Sequence, residues 1–295
     1  MIEGQEDVTW EDWQALAGAC EEHGIETLFR SDHYLSVFGR SERGSLDAWA
    51  TINALAAVTS KVRLGTLVSP ATFRHPAELA KVVVTADHVS GGRVELGLGT
   101  GWNEAEHEAY GFPFPPMGER MDEMERQLQV VASHWTDGPA QPKPVQKPRP
   151  NLIVGGRGGP RSIRMAARYA DEYNTVNKTA SECAEIRARL DSECDAAGRE
   201  RIPLSLMVTW LGGEDRAELL ERAGRMAEWQ GQDAEAEAYL DGLSGANIAG
   251  TLDENVERLR ELADAGIERV MLQHLLHRDL AAVEQIGRVV APAVA

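Results

Sequence analysis

Along the chain, short runs of β-branched and other apolar residues alternate with longer segments whose apolar positions recur every three or four residues. That is the pattern of strands and amphipathic helices in succession. Met1–Gly4 reads as the stub of a first strand, and Trp10, Trp13, Leu16, Ala17 and Cys20 share one helical face closed by His23-Gly24. Glu26–Ser31 is the second strand, with a helix over Asp47–Ser60. Val62–Val68 is the third, and Leu79, Val82, Val83 and Ala86 mark the next helix; Arg93–Gly99 is the fourth. An excursion rich in Pro and aromatics, Trp102 to Pro116, precedes a helix striped by Met117, Met121, Met124, Leu128, Val131 and Trp135, methionines that core packing explains. Gly138–Pro150 is a surface loop. Asn151–Val154, Tyr173–Val176, Pro203–Trp210 and Arg269–Gln273 complete the strands, and Asp279–Val290 is a closing helix.

Eight strands with intervening helices count to an α/β fold of the closed (β/α)8 barrel type, a TIM barrel, with a shortened first strand. A doubly wound sheet is the alternative. Thr179 with Glu182 and Thr251 with Glu254 have the spacing of capping boxes. The charged helical stretch that follows the seventh strand reads as an insertion over residues 214–250 within one domain covering 1–295.

Composition narrows the function. No apolar run is long enough to span a bilayer and no signal peptide is evident, so a cytoplasmic protein is expected. The three cysteines, Cys20, Cys183 and Cys194, form no CxxC pair and read as free thiols. A formal net charge of −17 argues against nucleic acid as a partner. Basic residues nevertheless outnumber acids between Lys143 and Lys178, a stretch able to face an anionic small molecule, although a solvated basic face is the commoner explanation.

A barrel gathers its chemistry where strands end and loops begin. The second strand runs into Phe29-Arg30-Ser31-Asp32-His33-Tyr34. Here His33 suits proton transfer near neutral pH, and Asp32 either orients its ring or caps a turn. The third ends Gly65-Thr66-Leu67-Val68-Ser69-Pro70. The fourth ends Gly97-Leu98-Gly99-Thr100-Gly101-Trp102-Asn103, whose glycines either admit a ligand to the backbone or pack small residues tightly inside the barrel. After the fifth comes Gly155-Gly156-Arg157-Gly158-Gly159-Pro160-Arg161, leading into a helix. Free amides, a helix dipole and two arginines suit an anion there, and the GK[ST] ending of a Walker loop is absent.

Taken together, FRSDHY (29–34), LGTLVSPATFRHP (64–76), LGLGTGWNE (96–104), IVGGRGGP (153–160) and AGTLD (249–253) resemble the bacterial luciferase-like superfamily, and more closely its deazaflavin-dependent branch. The resemblance spans nearly the whole chain and implies an oxidoreductase that moves a hydride between coenzyme F420 and a small organic substrate, assembled as a homodimer. It puts Asp32 and His33 beside the cofactor ring, with His33 as acid or base. Leu67-Val68 then corresponds to a bulge that holds a non-prolyl cis peptide; Thr100, Gly101 and Asn103 are cofactor contacts; and Gly155, Gly156, Arg157 and Gly158 form the phosphate loop. Two departures stand out. Trp102 occupies the place of a catalytic Glu in the branch's sugar-phosphate dehydrogenases, and the first strand is shorter than usual, as in a truncated start. The rivals are an FMN-dependent monooxygenase of the same fold and a non-catalytic flavin-binding protein.

Overall fold

The computed structural model describes residues 1–243 and 245–295. Helix α1 (Trp10–His23) leads into β1 (Thr27–Arg30), α2 (Ala48–Val58), β2 (Arg63–Pro70), α3 (Pro76–Ser90) and β3 (Val94–Gly99). Two helices follow, α4 (Glu104–Tyr110) and α5 (Met117–Trp135), then β4 (Asn151–Gly155), α6 (Pro160–Tyr169), β5 (Glu172–Val176), α7 (Ala180–Ala196) and β6 (Leu204–Gly213). Beyond them lie α8 (Arg216–Gln230), α9 (Ala236–Gly242), β7 (Ile248–Thr251), α10 (Leu252–Asp264), β8 (Arg269–Gln273) and α11 (Leu280–Gln285), which continues as a π-helical turn over Ile286–Val290.

The strands are parallel and β1 to β6 are neighbours in sequence order, with β8 against β6. The ring closes through two residues: Ile2 N–H donates to Phe29 O (2.9 Å), Ser31 N–H to Ile2 O (3.0 Å) and His274 N–H to Met1 O (3.0 Å). The expected first strand is thus a single bridge, Ile2 to Arg30, and with β1–β6 and β8 it makes eight positions, β7 pairing only with β6.

Helix boundaries follow local chemistry. Thr179 and Thr251 both form the expected capping boxes, and Thr9 with Asp12 forms a third. Two differences from the sequence reading are informative. Residues 102–116 contain a helix, α4, opened by Asn103 with acidic residues in its first turn. The expected helical insertion consists of α8 and α9 and then a strand: Ile248–Thr251 pairs with the C-terminal half of β6, Trp210 to Gly213. Ile-Ala-Gly-Thr is too short and too small to show a strand period on its own.

Inside the barrel Phe29, Leu67, Ile153 and Met271 pack with Val68 and Met207. Below them, at the N-terminal ends of the strands, an ionic plug crosses the barrel. Glu95 Oε1 lies 2.7 Å from Arg63 Nε, Glu95 Oε2 is 2.8 Å from Arg269 Nη1, and the same nitrogen is 3.1 Å from Glu172. That face of an α/β barrel serves stability, which leaves the opposite mouth for chemistry. Over that mouth Leu219, Ala223 and Met226 of α8 and Tyr239 of α9 form a second apolar cluster with Leu211, Leu275 and Leu276. No helix among the described residues is long and apolar enough to cross a membrane.

Candidate active site

At the C-terminal mouth, β1 delivers Ser31, Asp32 and His33. His33 Nδ1 is 2.7 Å from Glu106 Oε1, and the other oxygen of that carboxylate accepts the Tyr34 N–H at 3.0 Å. Glu106 is fully buried, on α4. Its helix is brought to β1 by aromatic packing: Tyr34 meets Phe73 at 5.2 Å and Tyr110 at 4.8 Å, and Phe73 stacks on Phe112 at 4.7 Å. Burial disfavours the imidazolium, yet the hydrogen bond and charge of Glu106 outweigh it and hold the His33 pKa above its ordinary value. With Nδ1–H donated to the carboxylate, His33 Nε2 has no partner among the described residues, and the residue is half-buried.

The carboxylate that orients His33 is therefore Glu106, not the adjacent Asp32. Adjacent residues on extended backbone point to opposite sides, and Asp32 turns into the protein. It is buried, receiving Ser69 Oγ–H at 2.6 Å and two bonds from Arg74, Nη1 at 2.5 Å and Nη2 at 3.1 Å. Arg74 also reaches Asp47 at 2.8 Å, tying β2's loop to the start of α2. Glu6 pins the long connection after β1, accepting from Ser36 Oγ, Val37 N and Arg43 Nη1 at 2.7–2.9 Å.

The Leu67–Val68 peptide is cis, and the β2–β3 register shifts between Thr66 and Ser69. Val68 projects into the barrel's upper layer, where three glycines make room for it. A Cβ on Gly97 would lie 2.8 Å from Val68 Cγ1 and 2.3 Å from Thr66 O; one on Gly99 would lie 2.6 Å from Val68 Cγ2, and one on Gly155 2.9 Å from Cγ1. Close packing inside the barrel thus accounts for Gly97 and Gly99. Thr100 is half-buried at the end of β3. Gly101 has a φ of 76° with its carbonyl held by Arg120 Nη1 at 2.9 Å, and the Asn103 carbonyl accepts from His107 Nδ1 at 2.7 Å.

The loop after β4 is more self-contained than a free anion nest. Gly156 N–H donates to Asn174 O and Gly158 N–H to the Tyr173 hydroxyl, each at 2.9 Å. The protein itself requires glycine at 156, since a Cβ would stand 2.5 Å from Tyr173 Oη and 2.7 Å from Ser162 Oγ. Arg157 is exposed and without a partner among the described residues. The wider basic stretch is mostly spent internally: Arg149 pairs with Asp171, Arg161 with Asp122, Arg168 with Glu125 and Lys178 with Glu182.

From β6 round to the Ile2 bridge beside β1 a polar chain runs from Thr209, whose hydroxyl donates to Gln273 at 2.7 Å, through Gln273 to Glu3 at 2.6 Å. Glu106, Glu3, Glu6 and Arg74 were not singled out from the sequence. The acidic first turn after Asn103 is the signal that would have exposed α4 and hence Glu106.

A closed parallel barrel with a polar constellation at its C-terminal mouth defines a TIM-barrel protein with an enzyme-like site. The chain belongs to the luciferase-like monooxygenase family, whose model matches residues 2–288. It is similar to an FMNH2-dependent dimethylsulfone monooxygenase of Pseudomonas putida (25% identity, covering 95% of this chain and 86% of the other). It is similar also to an F420-dependent glucose-6-phosphate dehydrogenase of Microbacterium testaceum (26%, 92% and 90%). Among solved structures, the coenzyme F420-dependent tetrahydromethanopterin reductase of Methanopyrus kandleri superposes with a TM-score of 0.81 at 19% identity, covering 100% and 98% of the two chains, a likeness of fold.

Proposed function

We propose that the protein is an oxidoreductase that transfers a hydride between coenzyme F420 and a small organic substrate, with His33 giving or taking the accompanying proton. The observation that carries this reading is the His33–Glu106 pair: a histidine at the end of β1, oriented through Nδ1 and kept basic by a buried carboxylate, whose Nε2 has no partner among the described residues. The residues present fit a flavin-type group. Val68 and Met207 offer an apolar, partly open floor, His33 a wall, and Arg157, exposed and without a partner among the described residues, a cation beside the N-terminus of α6 for an anionic tail. When bound, the deazaflavin would supply the hydride. Glu106 fixes the ring of His33, Arg74 and Ser69 hold Asp32 in its buried position, and the aromatic cluster around Tyr34 and Phe73 keeps water from that side of the pair. We further read the active form as a homodimer, as the family resemblance suggests.

The deciding experiment is a fluorescence titration of purified protein with F420 and with FMN. At least tenfold tighter binding of F420, about 1.4 kcal/mol, is expected. Equal affinity, or a preference for FMN, would move the assignment to the FMN monooxygenase reading that the Pseudomonas relative represents.

A further inference from the structure

Trp102 stands in the loop between β3 and α4 with 59% of its surface in solvent, far more than a tryptophan normally leaves exposed. Its position is held from both sides. Gly101 takes a left-handed turn, with Thr72 and Pro70 close against it, and Arg120 grips the Gly101 carbonyl while its guanidinium lies 3.8 Å over the Phe114 ring. On the other side Asn103 opens α4, its carbonyl bonded by buried His107. The indole is edge-on to His33, with ring centroids 5.5 Å apart at 75°. A large flat apolar surface is thus presented beside the His33 ring.

The charges around that space are complementary to nothing anionic. Arg74 is engaged by Asp32 and Asp47, Arg43 by Glu6 and the Trp229 ring, and Arg30 by Thr51 and the Leu46 carbonyl. Arg120 is committed to Gly101 and Phe114. His33 has its charge matched by Glu106 and Arg40 by Glu42, so a phosphate or carboxylate on a substrate near His33 would find no unmatched cation in the β1 and β3 loops among the described residues, and would lose hydration without full replacement. An uncharged planar molecule instead covers apolar surface and gains aromatic contact.

We propose that Trp102 sets the substrate class: a flat, uncharged organic molecule, such as a cyclic enone or quinone, seated against the indole in front of His33. The proposal rests on the reading of the mouth as a redox site, since the occupant is placed beside the cofactor.

The test is calorimetric titration of menadione and of glucose 6-phosphate into wild type, Trp102→Ala and Trp102→Phe, each saturated with oxidised cofactor so that no turnover occurs. Menadione should bind wild type at least tenfold more tightly than glucose 6-phosphate. Trp102→Ala should lose about tenfold in menadione affinity, and Trp102→Phe, which keeps an aromatic face, should stay within about threefold of wild type. Cofactor affinity should be the same in all three proteins. Menadione affinity that is unchanged in Trp102→Ala, or glucose 6-phosphate binding as tightly as menadione, overturns the proposal. If wild type binds neither F420 nor FMN, the proposed function fails by itself, and the Trp102 comparison is read on the protein without cofactor.

Discussion

Glu106 Oε1 sits 2.7 Å from His33 Nδ1 across 73 residues of sequence, and this contact gives the barrel mouth an oriented base. It also makes the site's pH response calculable in sign. The folded pKa of His33 is raised, so the stabilising ion pair is fully present below the unfolded value of about 6.5 and is lost as pH rises through the higher folded value. Glu106→Gln removes the two largest raising causes, its charged hydrogen bond and its charge, and leaves burial, which lowers the pKa, against the smaller effects of Glu3 and Asp32. An NMR titration of the His33 ring should therefore show its midpoint moving down in the variant. A midpoint that stays in place would mean that some other group raises it.

His33→Asn should keep the cofactor and lose roughly 10²–10⁴-fold in turnover, because Asn can fill the space but cannot exchange a proton near neutral pH. The measurement is single-turnover kinetics at saturating cofactor. A packing role predicts the reverse, lower stability with turnover intact in the folded fraction.

Gly156→Ala should destabilise the fold by roughly 1–3 kcal/mol through overpacking, since its Cβ meets Tyr173 Oη at 2.5 Å and Ser162 Oγ at 2.7 Å. In a Tyr173→Phe background the closest clash is gone, and the extra cost of Gly156→Ala should be smaller. Urea midpoints of the four proteins in this cycle give the coupling directly. Additive effects would show that the loop relaxes away from Tyr173.

Gly155 and Val68 form a second such pair. A Cβ at Gly155 falls 2.9 Å from Val68 Cγ1, so Gly155→Ala should be tolerated better when Val68 is Ala than when it is Val. Thermal unfolding of the single and double variants decides it.

The ionic plug predicts the strongest pH dependence. Arg269→Met leaves buried Glu95 and Glu172 without their shared cation and should cost about 3–5 kcal/mol at pH 7. Burial works against ionised Glu95, but Arg269 and Arg63 together hold its pKa below the usual range. That contribution is present above the unfolded value of about 4.3 and disappears as pH falls through the lower folded value. The gap between wild type and variant should therefore narrow on acidification. A gap that is constant from pH 7 to pH 3 would show that Arg269 acts through packing.

The order of the barrel strands and of the helices between them, α4 and β7 apart, was legible from the chain alone, because a β-branched run and an amphipathic stripe each report their own neighbourhood. Val94–Gly99 is buried throughout, as a parallel strand covered on both faces must be, and Thr179 and Thr251 declare their helices within four residues. The candidate loops were also readable, since a barrel sends strand ends to one mouth. Which side chains meet there was decided by tertiary structure. Asp32 is the sequence neighbour of His33, yet strand geometry turns it towards Arg74 and Ser69, and the aromatic contacts of Tyr34 and Phe73 bring Glu106 from α4 instead. Gly97, Gly99 and Gly155 carry no mark of what they make room for, because the atom that needs the space, Val68 Cγ, comes from another strand. Local pattern encodes conformation; pairing across the barrel depends on distances that only the closed ring of strands sets.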